Sequence, residues 1–172
     1  SGVFTQNAGG TLEVELNGTS SDLVNVTGAP GTATVNGTVN FTRFGNDPLS
    51  DGQVFTIVST TGGATEAVTE TDDFAFFDFT VTDVGNDLEA TANLATSSGA
   101  DSNAITISEQ SIETAINSLI TSGEAGPLAP ALSMFSTSNS GAVSDFLASQ
   151  SANVLNNACL LYTSPSPRDR YG

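Results

Sequence analysis

The chain has 172 residues with 19 acidic side chains, three arginines, no lysine and no histidine, giving a formal charge of −16. Such an anion repels phosphate backbones and anionic lipid surfaces, which removes nucleic acids and membrane surfaces as electrostatic partners. Without Lys or His there is no P-loop or Schiff-base lysine, no Ser-His-Asp or Cys-His machinery, and no imidazole metal site. Two of the arginines, Arg168 and Arg170, lie in the last five positions, so residues 1–158 hold 18 acids against Arg43 alone. The single cysteine, Cys159, makes no internal disulfide. No apolar run reaches the ~18 residues of a membrane helix. No signal peptide opens the chain and Ser1 is not an initiator Met, so the sequence reads as a fragment.

Taken in chain order, the first hundred residues carry period-two patterning. Leu12, Val14 and Leu16 face one way and Thr11, Glu13 and Glu15 the other. A short run follows at Leu23, Val24 and Val26, then Val35, Val39 and Phe41 with Gly37 interrupting. Val54–Ser59 is another apolar run. Phe77, Phe79 and Val81 alternate with polar residues, as do Leu88, Ala90, Ala92 and Leu94. Glycine-rich turns such as Asn17-Gly18, Pro30-Gly31, Asp51-Gly52 and Gly62-Gly63 separate them, which predicts a mainly β protein. A sandwich, a barrel and a parallel β-helix all fit. The recurring Gly-Thr-apolar motif at Gly10 and Gly37, outward Thr and Asn, and very short early strands favour a right-handed parallel β-helix end.

Near Ile105 the period changes. Ile112, Ala115, Ile116, Leu119 and Ile120 form one stripe of a helix, with Thr106, Ser108 and Glu109 as candidate caps and Gly123 as the stop. Pro127 and Pro130 mark a break, an apolar stretch surrounds Leu132 and Phe135, and a second stripe runs through Val143, Phe146, Leu147, Val154 and Leu155. Cys159–Gly172 differs in composition, with two of the three arginines, both Tyr and a Ser-Pro-Ser-Pro run. It resembles a translated, adapter-derived tail. The expected organisation is therefore 1–104 as the β unit, 105–158 as a helical linker and 159–172 as a non-native tail.

Three groups of residues could carry chemistry. Glu70, Asp72, Asp73 and Asp78 could supply paired carboxylates for glycoside hydrolysis, but Glu70–Asp73 also reads as a solvated loop and Asp78 as an outward strand residue. Asp83, Asn86 and Asp87 around Gly85, or Asp47 and Asp51 before Gly52, could offer oxygen ligands to calcium. Neither set has the EF-hand or Gly-Gly-x-Gly-x-Asp spacing, and as plain turns both need no metal. Asn17, Asn25, Asn36 and Asn40 each begin an Asn-x-Thr sequon. These patterns identify no catalytic, cofactor-binding or metal residue, and the expectation is a non-enzymatic chain without a cofactor.

The order of segments is more specific than any one of them. Phe4-Thr-Gln-Asn-Ala-Gly-Gly-Thr-Leu-Glu-Val-Glu-Leu16 precedes Ser21-Asp-Leu-Val-Asn-Val-Thr-Gly28 and Ala33-Thr-Val-Asn-Gly-Thr-Val39. Asp51-Gly-Gln-Val-Phe-Thr-Ile-Val-Ser-Thr-Thr-Gly-Gly63 comes next. This succession resembles the C-terminal, autochaperone-like region of a classical bacterial autotransporter passenger (type V secretion). The helical stretch ending Ala152-Asn-Val-Leu-Asn156 is similar to the linker before the translocator barrel. Phe4 and Phe55 stand where that family often has Tyr, Val35 where it often has Leu, and Ala29–Thr32 lengthens one turn.

The resemblance implies a folding module that caps and nucleates a passenger β-helix during export. Its partners would be the chain's own translocator β-barrel and upstream passenger rungs, with no nucleic acid, membrane span or small-molecule substrate in this part. The implied location is the bacterial outer membrane or cell surface, reached through the periplasm. Asn156-Asn157 matches the pair at which some members cleave their linker, although it reads more simply as polar helix surface. A carbohydrate-active or tailspike-like β-helix enzyme and an acidic, calcium-stabilised adhesion repeat are the alternative readings.

Overall fold

The computed structural model describes residues 2–96 and 107–135, with side chains in the helical part from Glu113 onward. The strands are β1 (Val3–Gln6), β2 (Thr11–Asn17), β3 (Ser20–Ser21), β4 (Val24–Val26), β5 (Thr32–Arg43), β6 (Gln53–Thr60), β7 (Gly63–Asp72), β8 (Phe77–Val84) and β9 (Asp87–Leu94). Helix α1 (Ile107–Thr121), a 3-10 turn (Gly126–Leu128) and the four-residue α2 (Ala129–Leu132) complete the described part. The protein is mainly β, and its two sheets are mixed.

In the first sheet the chain passes three times in the same direction. β1 and β2 both lie along one side of β5, β1 against its first half and β2 against its second, while β7 runs along the whole other side. The register puts Phe4, Ala33 and Ala64 in one row and Thr11, Thr38 and Thr69 in another. Between passes the chain visits the second sheet, where β4 is parallel to β6, and the antiparallel strands β9 and β8 extend the edge. A parallel pair cannot be joined by a tight hairpin, so each return must cross elsewhere, and here it crosses through the opposite sheet.

The core lies between the sheets. Val14, Leu16, Val35, Val39 and Phe41 point into it from the first sheet, and Phe55, Ile57, Phe77, Phe79, Leu88 and Ala90 from the second. Phe41 and Phe79 stack across the layers at 4.4 Å and 18°, and Phe74 lies 5.4 Å from Phe79. Each fully buried ring contributes about 1.5–3 kcal/mol by burial alone.

Gly37 does not interrupt β5, contrary to the sequence pattern. The strand runs through it at φ +93°, and a Cβ there would lie 2.6 Å from the Gly10 carbonyl oxygen. The glycine gives room for the 7–10 loop between β1 and β2 to press onto β5. Gln6 completes that junction: its Nε2 donates to the carbonyls of Asn36 (2.7 Å), Thr38 (3.1 Å) and Gly10 (3.3 Å). One side-chain amide thus ties β5 to the 7–10 loop where β1 stops and β2 has yet to start, sharing the Gly10 carbonyl with the Thr38 N–H.

The helical part returns to the same core. α1 ends as the glycine pattern predicts: Gly123 at φ +76° donates its N–H to the Ile120 carbonyl, and Glu124 donates to that of Leu119. Pro127 and Pro130 sit in the first turns of the 3-10 turn and α2, where a missing N–H is tolerated. Ile116, Ala129 and Leu132 join the core cluster. The Leu49 N–H donates to the fully buried Ser133 hydroxyl, which itself donates to the Pro130 carbonyl, and the Ala75 N–H donates to the Phe135 carbonyl. The candidate caps Thr106, Ser108 and Glu109, the second helical stripe, Asn156-Asn157 and the 159–172 segment lie outside the residues or side chains described.

Candidate functional site

Strand β7 inverts the usual order of a half-buried strand. Its outward residues are Thr65, Ala67, Thr69 and Thr71, while Glu66, Glu70 and Asp72 take the inward positions that Val35, Val39 and Phe41 hold on β5. The sequence-based loop over Glu70–Asp73 is therefore corrected for Glu70 and Asp72, which belong to β7 and are half-buried. The loss of apolar alternation has a structural outlet. Glu70 accepts the Val81 N–H at 3.0 Å, Glu66 the Val68 N–H at 3.1 Å, and Asp72 the Phe74 N–H at 2.8 Å. β8 pairs with β9 on one side, so the Glu70 carboxylate occupies a donor on its other edge. An inward charge of this kind also discourages edge-to-edge pairing.

The electrostatics are strongest around Asp72 and Arg43. Burial pushes the Asp72 carboxyl up to about 6; the Phe74 N–H opposes this, and the charges of Asp78 and Asp73 add to it. Burial also raises Asp73, opposed by the Arg43 charge. The same burial pulls Arg43 down from its ordinary value, and Asp73 pulls it back. Arg43 is held on three sides: its Nη1 donates to the Met134 sulfur at 3.0 Å, its guanidinium lies 5.3 Å from the Phe74 ring centre, and Asp73 balances its charge. The one arginine of residues 1–158 is thus built into the contact between the strands and the 125–135 segment.

Of the four candidate catalytic acids, Glu70, Asp72 and Asp73 are half-buried and bound up in backbone hydrogen bonds or the Arg43 contact. Asp78 lies on the exposed face of β8. The calcium candidates are likewise engaged locally. Asp87 accepts the Thr60 N–H at 2.9 Å, and Asp51 accepts the Leu94 N–H at 2.8 Å. Asp83 is exposed at the end of β8, and the Asp47 N–H donates to the Asn17 side chain. Among the described residues no group of three or more Asp, Glu, His or Cys side chains converges to hold a metal ion. Of the sequon asparagines, Asn25 is exposed, whereas Asn40 bridges neighbouring strands, donating to Glu13 and accepting from Thr71.

The two ends of the strand stack differ. At one end β7, its inward carboxylates, Phe74–Phe79 and the 113–135 segment close the core. At the other, no described strand pairs with the outer edges of β1 and β4. A shallow groove of about 220 Å³ lies between them, lined by Gly2, Val3, Phe4 and residues 24–27. Val3 is 62% and Leu23 51% exposed there. Sequence reasoning missed Gln6, Ser133 and this asymmetry, because none leaves a periodic signal.

No described helix is long and apolar enough to cross a membrane. The chain matches no protein-family model, no curated protein sequence and no solved structure.

Proposed function

We propose that the chain is a structural and folding module of a bacterial autotransporter, the end of a passenger β-helix joined to its helical linker. The observation that carries this reading is the difference between the ends. One presents edges of β1 and β4 that no described strand covers, with exposed apolar side chains; the other is sealed by carboxylates, a Phe cluster and helical turns. A strand edge left bare attracts another strand, so the open end suits further parallel passes, coiled in the right-handed sense that parallel crossovers favour. The sealed end suits a terminus. In this reading the passes are rungs of a right-handed parallel β-helix.

Solenoids fold by nearest-neighbour addition. A stable end that emerges first at the outer surface would template the preceding rungs and bias export outward. The module is non-catalytic and works in cis, at the bacterial surface, with its own passenger and its own translocator barrel. Uninterrupted sequencing of the gene beyond the codon for Ala158 tests the assignment. The expected result is a region of about twelve amphipathic strands of ~10 residues each. A continuous reading frame that encodes no such strands contradicts it.

A further inference from the structure

The contact between the strands and the 125–135 segment sets the chain's only methionine against the one arginine of residues 1–158. Met134 is 42% exposed, and its sulfur accepts the Arg43 Nη1–H at 3.0 Å. The guanidinium also lies 5.3 Å from the Phe74 ring centre, and among the described residues its buried Nη2 donates to nothing. A thioether is a weak acceptor. A permanently charged group rich in donors is thus served by one poor partner, with a buried donor left unmet.

This mismatch sits at a joint. On either side of Met134, the Ser133 hydroxyl accepts the Leu49 N–H and the Phe135 carbonyl accepts the Ala75 N–H, and both bonds tie the segment to the strand body. A stronger hold of Met134 on Arg43 therefore strengthens the docking of the whole segment. Adding one oxygen to the sulfur supplies that hold. In a tightly packed core a sulfoxide disrupts its neighbours. Here the side chain is partly exposed and flexible, so it has room to turn its oxygen toward Nη1 and the unmet Nη2. A hydrogen bond from a charged donor is about twice as strong as a neutral one.

We propose that Met134 is a site of reversible sulfoxidation by hydrogen peroxide, and that the sulfoxide locks the 125–135 segment onto Arg43. The sulfur lone pair that Arg43 does not engage attacks one peroxide oxygen. The S–O bond forms as the O–O bond breaks, and the departing hydroxide takes the proton left on the transferred oxygen to leave as water. Sulfur loses two electrons and the peroxide gains them. Rotation about the Cγ–Sδ bond then turns the new oxygen to the guanidinium. A neutral oxidant is not repelled by a chain of formal charge −16, as anionic hypochlorite is. The lock rests on this local contact and not on the secretion role, so failure of either leaves the other standing.

The test uses the full chain with Cys159 alkylated, which leaves Met134 as its one oxidisable sulfur. Hydrogen peroxide is the probe, and peptide mass spectrometry measures the added oxygen. Amide exchange is followed at Leu49 and Ala75, whose N–H groups report docking away from the sulfur itself. The expected result is one oxygen on Met134 and exchange about fivefold slower at both amides, reversed by methionine sulfoxide reductases. Met134→Gln, which carries a carbonyl oxygen at the same position, should be slowed without oxidant, and Met134→Leu should not respond to it. Arg43→Gln should be oxidised with no slowing. Circular dichroism melting checks that each variant is folded, and the oxidised and re-reduced unchanged chain is decisive without them. Exchange at Leu49 and Ala75 that is unchanged or faster after oxidation overturns the proposal. So does a Met134 that peroxide oxidises only in the urea-unfolded chain, or slowing that persists in folded Arg43→Gln.

Discussion

Replacing Asp72 by Asn should stabilise the protein at neutral pH and leave it unchanged in acid. The Asp72 carboxyl is raised from 3.8 to about 6 in the fold, chiefly by burial and then by its acidic neighbours. A raised carboxyl favours the protonated fold, so its stabilisation is fully present below about pH 3.8 and is lost as pH rises to about 6. The shift corresponds to about 3 kcal/mol at 1.36 kcal/mol per unit. Asp72 is only half-buried, and solvent screening reduces this to about 1–1.5 kcal/mol.

Asn keeps an oxygen for the Phe74 N–H and never ionises, so it removes the penalty without opening the turn. Urea unfolding followed by circular dichroism at pH 3.5 and pH 7.5 gives the comparison. The variant should match the original at pH 3.5 and exceed it by about 1 kcal/mol at pH 7.5, a few degrees in Tm. An Asn variant less stable at pH 7.5, or one with the same difference at both pH values, refutes the assignment of a strained carboxylate.

Other perturbations probe the remaining joints. Gln6→Leu leaves the Asn36 and Thr38 carbonyls without their donor and should cost about 2–3 kcal/mol in urea unfolding, with amide exchange accelerated first in β1. Ser133→Val strips the buried Leu49 N–H of its acceptor; a loss of about 1–3 kcal/mol and faster protease cleavage within 125–135 are expected. Gly37→Ala should destabilise by more than 1 kcal/mol, because φ +93° and the nearby Gly10 carbonyl both oppose a Cβ. Phe79→Ala empties the stack on Phe41 and should lower stability by about 3–5 kcal/mol by the same measurement.

How far the sequence revealed the fold depends on what each side chain does. β2, β8 and β9 were legible because apolar and polar residues alternate on strands with one buried face, as Phe77, Phe79 and Val81 show. β7 was not, since Glu66, Glu70 and Asp72 occupy inward positions and serve backbone N–H groups there. Gly37 looked like a break because its role, room for the 7–10 loop, depends on a neighbour 27 residues away in the register. The stop of α1 was legible in Gly123, a local signal. The return of 125–135 onto Leu49 and Ala75 was not, because it rests on long-range hydrogen bonds. The acidic clusters were visible as composition, but their engagement with backbone donors appears only when the strands are placed.

The folding role is tested most directly in the intact gene product, expressed in a Gram-negative host. Phe77 and Phe79, which fill the sealed end, are both changed to Ser, and surface display and protease resistance of the region preceding Gly2 are measured against the unchanged protein. The account predicts that the upstream region reaches the surface poorly or becomes protease-sensitive, while the barrel still inserts. Undiminished display of a protease-resistant upstream region would contradict it.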